Sequence, residues 1–205
     1  MLHKEILTSE QINLLPLVSL FAKEFGLVGG TAIALHIGHR RSIDFDMFSY
    51  ERFDNNRIKQ KLTKKIKSFN PIVNKQGEYT LITKTGIKMT FYNFPYKLDY
   101  VDRLDKTIKL PDLLTLAAMK AFALGQRAKW KDYVDLYFIL KDYHSIAEIN
   151  KKGKELFGGE YNEKLFKTQL AYFNDINYAE EVEFLPGFEV SEKEVKKALV
   201  EYSIE

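Results

Sequence analysis

Apolar residues recur at helical spacing near the start of the chain. Ile12, Leu15, Leu20, Phe21 and Phe25 follow Ser9, a good helix-capping residue, and predict a helix over residues 9–25. Pro16 lies inside that pattern and marks a kink or the true helix start. Gly26-Leu-Val-Gly-Gly30 is a very short apolar run closed by two glycines, after which helical spacing resumes over residues 31–37. This reads as strand, tight glycine turn, helix. Over residues 43–48 the period falls to two, with Ile43, Phe45 and Met47 on one face and Asp44, Asp46 and Phe48 on the other. Residues 53–69 predict an amphipathic helix with Ile58, Leu62, Ile66 and Phe69 on one stripe. Residues 72–75, 79–83 and 87–94, separated by Gly77 and Thr85-Gly86, read as a meander extending the same sheet. From Pro111 onward the pattern is helical, over residues 111–127, 131–143, 145–157, 162–173 and 191–205. Pro111 suits a first helical position, and Ser191 with Glu194 suits a capping box. Strands come first and helices last. The expected fold is α+β: a lobe over residues 1–110 with a small mixed β-sheet and flanking helices, then a helical lobe over residues 111–205 completing a cleft.

Composition narrows the function classes. A chain of 205 residues with fifteen Phe and twelve Tyr can fill a core, so disorder is not the default. The absence of cysteine excludes a disulfide framework, a thiolate-ligated zinc site and a Cys nucleophile, and fits a reducing cytosol. The polar N-terminus carries no signal segment, and even residues 110–124 are interrupted by Asp112 and Lys120, so no membrane partner and a cytoplasmic location are expected. Net charge is only +3, yet Arg52, Arg57, Lys59, Lys61, Lys64, Lys65 and Lys67 fall together and residues 175–194 are acidic. Such a basic helix can follow a phosphate backbone or simply face water.

Candidate chemistry lies in the first fifty residues. Carboxylates at i and i+2 of a strand point the same way, with Cα atoms roughly 6–7 Å apart. Asp44 and Asp46 can therefore reach one hard cation, and Mg²⁺ suits a few carboxylates plus substrate phosphates. Gly29 and Gly30 open a helix, where backbone amides can approach a triphosphate or merely form a tight turn. Thr31 can cap that helix or bond a phosphate oxygen. Arg40, Arg41 and Ser42 follow, the arginines suited either to bidentate phosphate contact or to pairing with Asp44 or Asp46. His39 is read as a structural donor rather than a general base.

The run Gly29-Gly-Thr-Ala-Ile-Ala-Leu-His-Ile-Gly-His-Arg-Arg-Ser-Ile-Asp-Phe-Asp46 resembles the first motifs of the AbiEii/AbiGii toxin family, minimal nucleotidyltransferases of the DNA polymerase β-like superfamily. Lys120-Ala-Phe-Ala-Leu-Gly-Gln-Arg127 fits that family's K-x-x-A-x-x-x-R, and Asp132-Tyr-Val-Asp135 fits its D-x-x-D. The resemblance implies transfer of an NMP from an NTP to an acceptor hydroxyl, with Mg²⁺ on Asp44 and Asp46. It implies that Lys120 contacts phosphate, that Gly29, Gly30, Thr31, Arg40, Arg41, Ser42 and Arg127 bind nucleotide, and that Asp135 assists the chemistry with Asp132 in support. It further implies the toxin of a toxin–antitoxin pair acting on RNA such as a tRNA 3′ end, beside a separately encoded antitoxin. An antibiotic-type nucleotidyltransferase or a degenerate nucleotide- or partner-binding domain are the alternatives. Residues 87–94 hold no acid to act as a third catalytic carboxylate, and Asp99 and Asp102 follow them, which leaves Asp135 or a bound hydroxide to substitute.

Overall fold

The computed structural model describes residues 2–205, and its first α-helix begins on a complete cap. The Thr8 side chain accepts the Gln11 amide while the Gln11 side chain accepts the Thr8 amide, so α1 (Ser9–Val18) is capped one residue before Ser9. Pro16 lies in its last turn, where the helix tightens into a 3₁₀ turn over Ser19–Phe21 instead of starting there. β1 (Gly26–Val28), α2 (Gly29–Ile37) and β2 (Phe45–Ser49) follow as strand, helix and strand. Ile43 precedes β2 and is exposed, so Phe45 and Met47 carry its inward face alone. α3 (Asn55–Thr63) is shorter than its apolar stripe suggests, because Phe69 belongs to β3 (Phe69–Lys75). β4 (Glu78–Thr83) and β5 (Lys88–Asn93) complete a five-stranded sheet ordered β1-β2-β5-β4-β3. β3 is an edge strand and tolerates Pro71. The sheet is mixed: β2 pairs antiparallel with β1 but parallel with β5, with α3 and the β3–β4 hairpin as the crossover.

A small hairpin, β6 (Asp102–Leu104) and β7 (Ile108–Leu110), lies outside every strand that the sequence pattern predicts. The helical half then runs α4 (Leu113–Leu124), α5 (Trp130–Asp142), α6 (Ile146–Phe157), α7 (Glu163–Leu170) and α8 (Glu192–Ser203). Asp112 caps α4 by accepting the Thr115 amide at 2.6 Å, so Pro111 precedes the cap instead of opening the helix. Ser191 caps α8, but the Glu194 carboxylate accepts the Tyr137 hydroxyl instead of closing a capping box. One face of the sheet, with Met47 and Phe91, packs on Phe21, Phe25 and the buried Ile58 and Leu62 of α3. The other face, with Asp46, Phe48, Thr90 and Tyr92, lines a cleft whose far wall is α4. Among the described residues no helix is long and apolar enough to cross a membrane.

Candidate active site

The glycine turn and the carboxylates meet across the β1–β2 pair. Gly29 adopts φ +72, and a Cβ there would stand 2.5 Å from Asp46 Oδ2. Any side chain would face both a backbone and a steric penalty. Val28 offers α2 no side-chain cap, which leaves its first amides without a side-chain partner, as an anion-binding helix start requires. Thr31 does not cap the helix. Its hydroxyl lies against the Asp44 carbonyl and 3.0 Å from Ser42 Oγ, tying α2 to the segment before β2.

The cation nearest Asp44 and Asp46 among the described residues is Lys88, the first residue of β5. Its Nζ lies 2.7 Å from Asp44 Oδ2. Burial would lower the Lys88 ammonium, but Asp44 and Asp46 outweigh that and hold it above its ordinary value. Burial pushes the Asp46 carboxyl up; Lys88 opposes that shift and the like charge of Asp44 adds to it. Lys88 pairs directly with Asp44 alone, while Lys131 acts on Asp46 from farther off and is paired with Glu180, so the two carboxylates still fit a divalent cation. Among the described residues no three or more His, Cys, Asp or Glu gather as a ligand set, so further ligands would come from substrate and water. Opposite Asp46 on β5 stands Thr90, not an acid, and neither Asp99 nor Asp102 lines the cleft.

Beside this pair lies a buried ion network. Lys120 Nζ on α4 stands 2.7 Å from Asp132 Oδ1 and 3.0 Å from Asp135 Oδ2 on α5. Asp135 Oδ1 also accepts His39 Nε2 at 2.8 Å and Arg40 Nε at 2.7 Å, and its Oδ2 accepts Arg40 Nη2 at 2.9 Å. Arg127 Nε reaches Asp132 Oδ2 at 3.3 Å. Burial would raise the Asp135 carboxyl, but Arg40, Lys120 and His39 together hold it well below the usual carboxylate range. Burial would lower Lys120, but Asp132 and Asp135 outweigh it and keep the ammonium charged. Burial does push His39 down, despite Asp135, so the neutral ring donates its Nε2–H while Nδ1 stays buried without a partner. With both oxygens occupied, Asp135 has no lone pair aimed at the cleft for proton abstraction or metal binding.

A cleft of about 580 Å³ brings Gly29, Gly30, Ser42, Asp44, Asp46, Lys120, Arg127 and Asp132 together. Thr31, Arg40, Arg41 and Asp135 do not line it. Arg40 is buried on Asp135 behind Gly30, whose Cβ position would lie 2.7 Å from Arg40 Nη2. Arg41 pairs with Glu183 at 2.9 Å. The basic stretch within residues 52–67 does not line the cleft either, since α3 covers the opposite face of the sheet and its Lys61 reaches Glu24 at 2.6 Å.

The family model for the AbiEii nucleotidyl transferase toxin of type IV toxin–antitoxin systems matches residues 17–199. The chain belongs to the AbiEii nucleotidyltransferase toxin family. An uncharacterized protein of Aquifex aeolicus (strain VF5) is 29% identical over 187 residues, covering 87% of this chain and 88% of its own length. The crystal structure of JHP933 from Helicobacter pylori shares the fold with a TM-score of 0.59 at 14% identity, covering 100% of this chain and 92% of that one. MenT4, a nucleotidyltransferase toxin from Mycobacterium tuberculosis H37Rv, does so with a TM-score of 0.58 at 12% identity, covering 94% and 80%. As an AbiEii-family member the chain is a nucleotidyltransferase with a nucleotide substrate.

Three features around this AbiEii-family cleft lie outside the motifs that carry the resemblance. Lys88 is the first, and only its place on β5 brings it to Asp44. Lys129 and Lys131, also lining the cleft, are the second; both bind Glu180, Lys129 at 2.5 Å. The third is the acidic segment carrying Glu180. Asn177 exchanges backbone bonds with Ala128 and Trp130, and Glu183 and Leu185 bond Arg41 and His39. This segment thus straps the start of α5 to the loop before β2.

Proposed function

We propose that this chain transfers a nucleoside monophosphate from an NTP to an acceptor hydroxyl on RNA, releasing pyrophosphate, with Mg²⁺ held by Asp44 and Asp46. The observation that carries the reading is the convergence of Asp44, Asp46, the uncapped Gly29–Gly30 helix start, Lys120 and Arg127 on one cleft. The bound cation would neutralise phosphate charge and orient the reacting groups. Gly29 and Gly30 allow the triphosphate close backbone approach, and Ser42 offers a hydroxyl beside them. Lys120 and Arg127 balance negative charge on the opposite wall. Asp132 and Asp135 hold Lys120 in place, and Arg40, with His39, fixes Asp135. Lys88 shields the paired carboxylates, which would hold the metal. The RNA acceptor, its 3′ end, an antitoxin partner and a cytoplasmic setting are supported by the AbiEii resemblance. Incubating total RNA with each of four α-labelled NTPs, with Mg²⁺ and with chelator, tests this. Label should enter RNA from at least one NTP and vanish with chelator. Label confined to small molecules would reassign the acceptor.

A further inference from the structure

The cleft has two chemically different ends. Beyond Asp46 and Thr90 on the same strand faces stand Phe48 and Tyr92, joined by Phe94, Tyr96 and, from α4, Met119 and Phe122. The rings touch in series: Phe48 lies 5.2 Å from Tyr92 and 5.1 Å from Phe94, which lies 5.2 Å from Tyr96. Phe122 stacks at 4.2 Å and 12° on the buried Phe157, which fixes its plane. These six side chains are only partly buried, although the core beside them is closed. Aromatic surface left open along a cleft wall marks a binding surface. The charged lining residues at this end are carboxylates, Glu78 paired in register with Tyr92 and Glu160 beside Tyr96. The cations Lys88, Lys120, Arg127, Lys129 and Lys131 stand with the motif residues instead.

We propose that the aromatic end is the subsite for the base of the nucleoside triphosphate, an assignment that rests on the nucleotidyl-transfer reading above. A nucleotide is a polyanion at one end and a flat π-system at the other, and one continuous cleft of about 580 Å³ offers a partner for each. Direction follows from charge: the lysines and the α2 start attract phosphates, whereas the aromatic end offers them no lining cation, only Glu160 and a Glu78 paired with Lys75 at 3.0 Å. Ring faces and the polarisable Met119 thioether receive the base by stacking, which tolerates any base and requires no hydrogen-bond readout.

Calorimetric titration of the full chain with each NTP and with inorganic tripolyphosphate, all with Mg²⁺, decides the matter. At least one NTP should bind about tenfold or more tightly than tripolyphosphate. Phe122→Leu and Tyr92→Leu should each weaken that NTP by about 5–100-fold while leaving tripolyphosphate unchanged. Thermal melts identify folded variants, and the wild-type comparison stands without them. The proposal is overturned if tripolyphosphate binds as tightly as all four NTPs. It is also overturned if folded variants keep wild-type NTP affinity but lose affinity for an RNA oligonucleotide, which would give the subsite to the acceptor base. Binding of neither ligand would remove the phosphate end and the transfer reading with it. Tight tripolyphosphate binding alone would leave that reading standing.

Discussion

Gly29 carries two constraints at once, a left-handed backbone and a neighbouring carboxylate oxygen. Gly29→Ala should therefore lower stability by roughly 1–3 kcal/mol, the usual cost of a strained non-glycine backbone. It should also displace Asp46 and lose transfer activity. Urea unfolding alongside an activity assay checks both, and a variant as stable and active as wild type would mean that the close approach has no function. Asp46 presents the opposite balance. It shares one lysine with Asp44, and burial disfavours its charge, so the folded state gains little from it. Asp46→Asn should melt at or above the wild-type temperature while transfer is lost, the expected conflict between stability and a functional site. A drop of many degrees would instead make Asp46 a structural residue. Much of this pair is legible in the chain itself, because a period of two around Phe45 and Met47 fixes which side Asp46 takes. Ile43 misleads, since alternation extends one step past the strand that pairs.

At the scale of elements, α4 and α5 are joined through charge as well as apolar packing. Asp135 is fully buried and holds Arg40, His39 and Lys120. Asp135→Asn keeps the shape but leaves the Arg40 and Lys120 cations undercompensated, and breaking a buried pair costs about 3–5 kcal/mol. Chemical denaturation should show a loss of that size; a loss under about 1 kcal/mol would mean that water or rearrangement replaces the carboxylate. The strap bearing Glu180 behaves differently. Burial opposes its shift, but the hydrogen bonds from Lys129 and Lys131 lower the Glu180 carboxyl from 4.5 to about 2. A depressed carboxyl value means that the unfolded chain takes up protons first. The contribution is therefore complete above about pH 4.5 and is lost as pH falls towards 2. Glu180→Gln should flatten the stability profile across that window, with an effect near zero to ~1 kcal/mol because the group is 40% exposed. An unaltered acid profile would show that the strap is held by backbone bonds alone. Helical spacing makes the Asp132–Asp135 face readable in advance, since i, i+3 residues share a side. Arg127, expected within a helix over residues 111–127, instead lies past the end of α4 and reaches Asp132 from the loop. Lys88 and Glu180 are not readable, because a parallel β2–β5 pairing and a returning loop bring them in from distant sequence. The same limit explains Phe69, whose apolar side chain fits a helix stripe until pairing with Thr83 on β4 places it in a strand.

The whole molecule is one continuous apolar core carrying a cleft whose polar end is assembled from both halves of the chain. Its modest net charge of +3 conceals the arrangement that matters: cations around Asp44 and Asp46 at one end, carboxylates among aromatics at the other. The basic α3 faces away, so the positive charge facing the cleft comes from Lys88, Lys120, Arg127, Lys129 and Lys131, the last two paired with Glu180. Asp44 and Asp46 are proposed to direct transfer of the α-phosphoryl group with its nucleoside. The direct measurement compares α-labelled with γ-labelled NTP, with Mg²⁺ and an RNA acceptor, for wild type and Asp46→Asn. α-Label should enter RNA with the wild type, γ-label should not, and a folded Asp46→Asn chain should transfer neither. Transfer of γ-label, or wild-type α-label transfer by Asp46→Asn, would contradict that role.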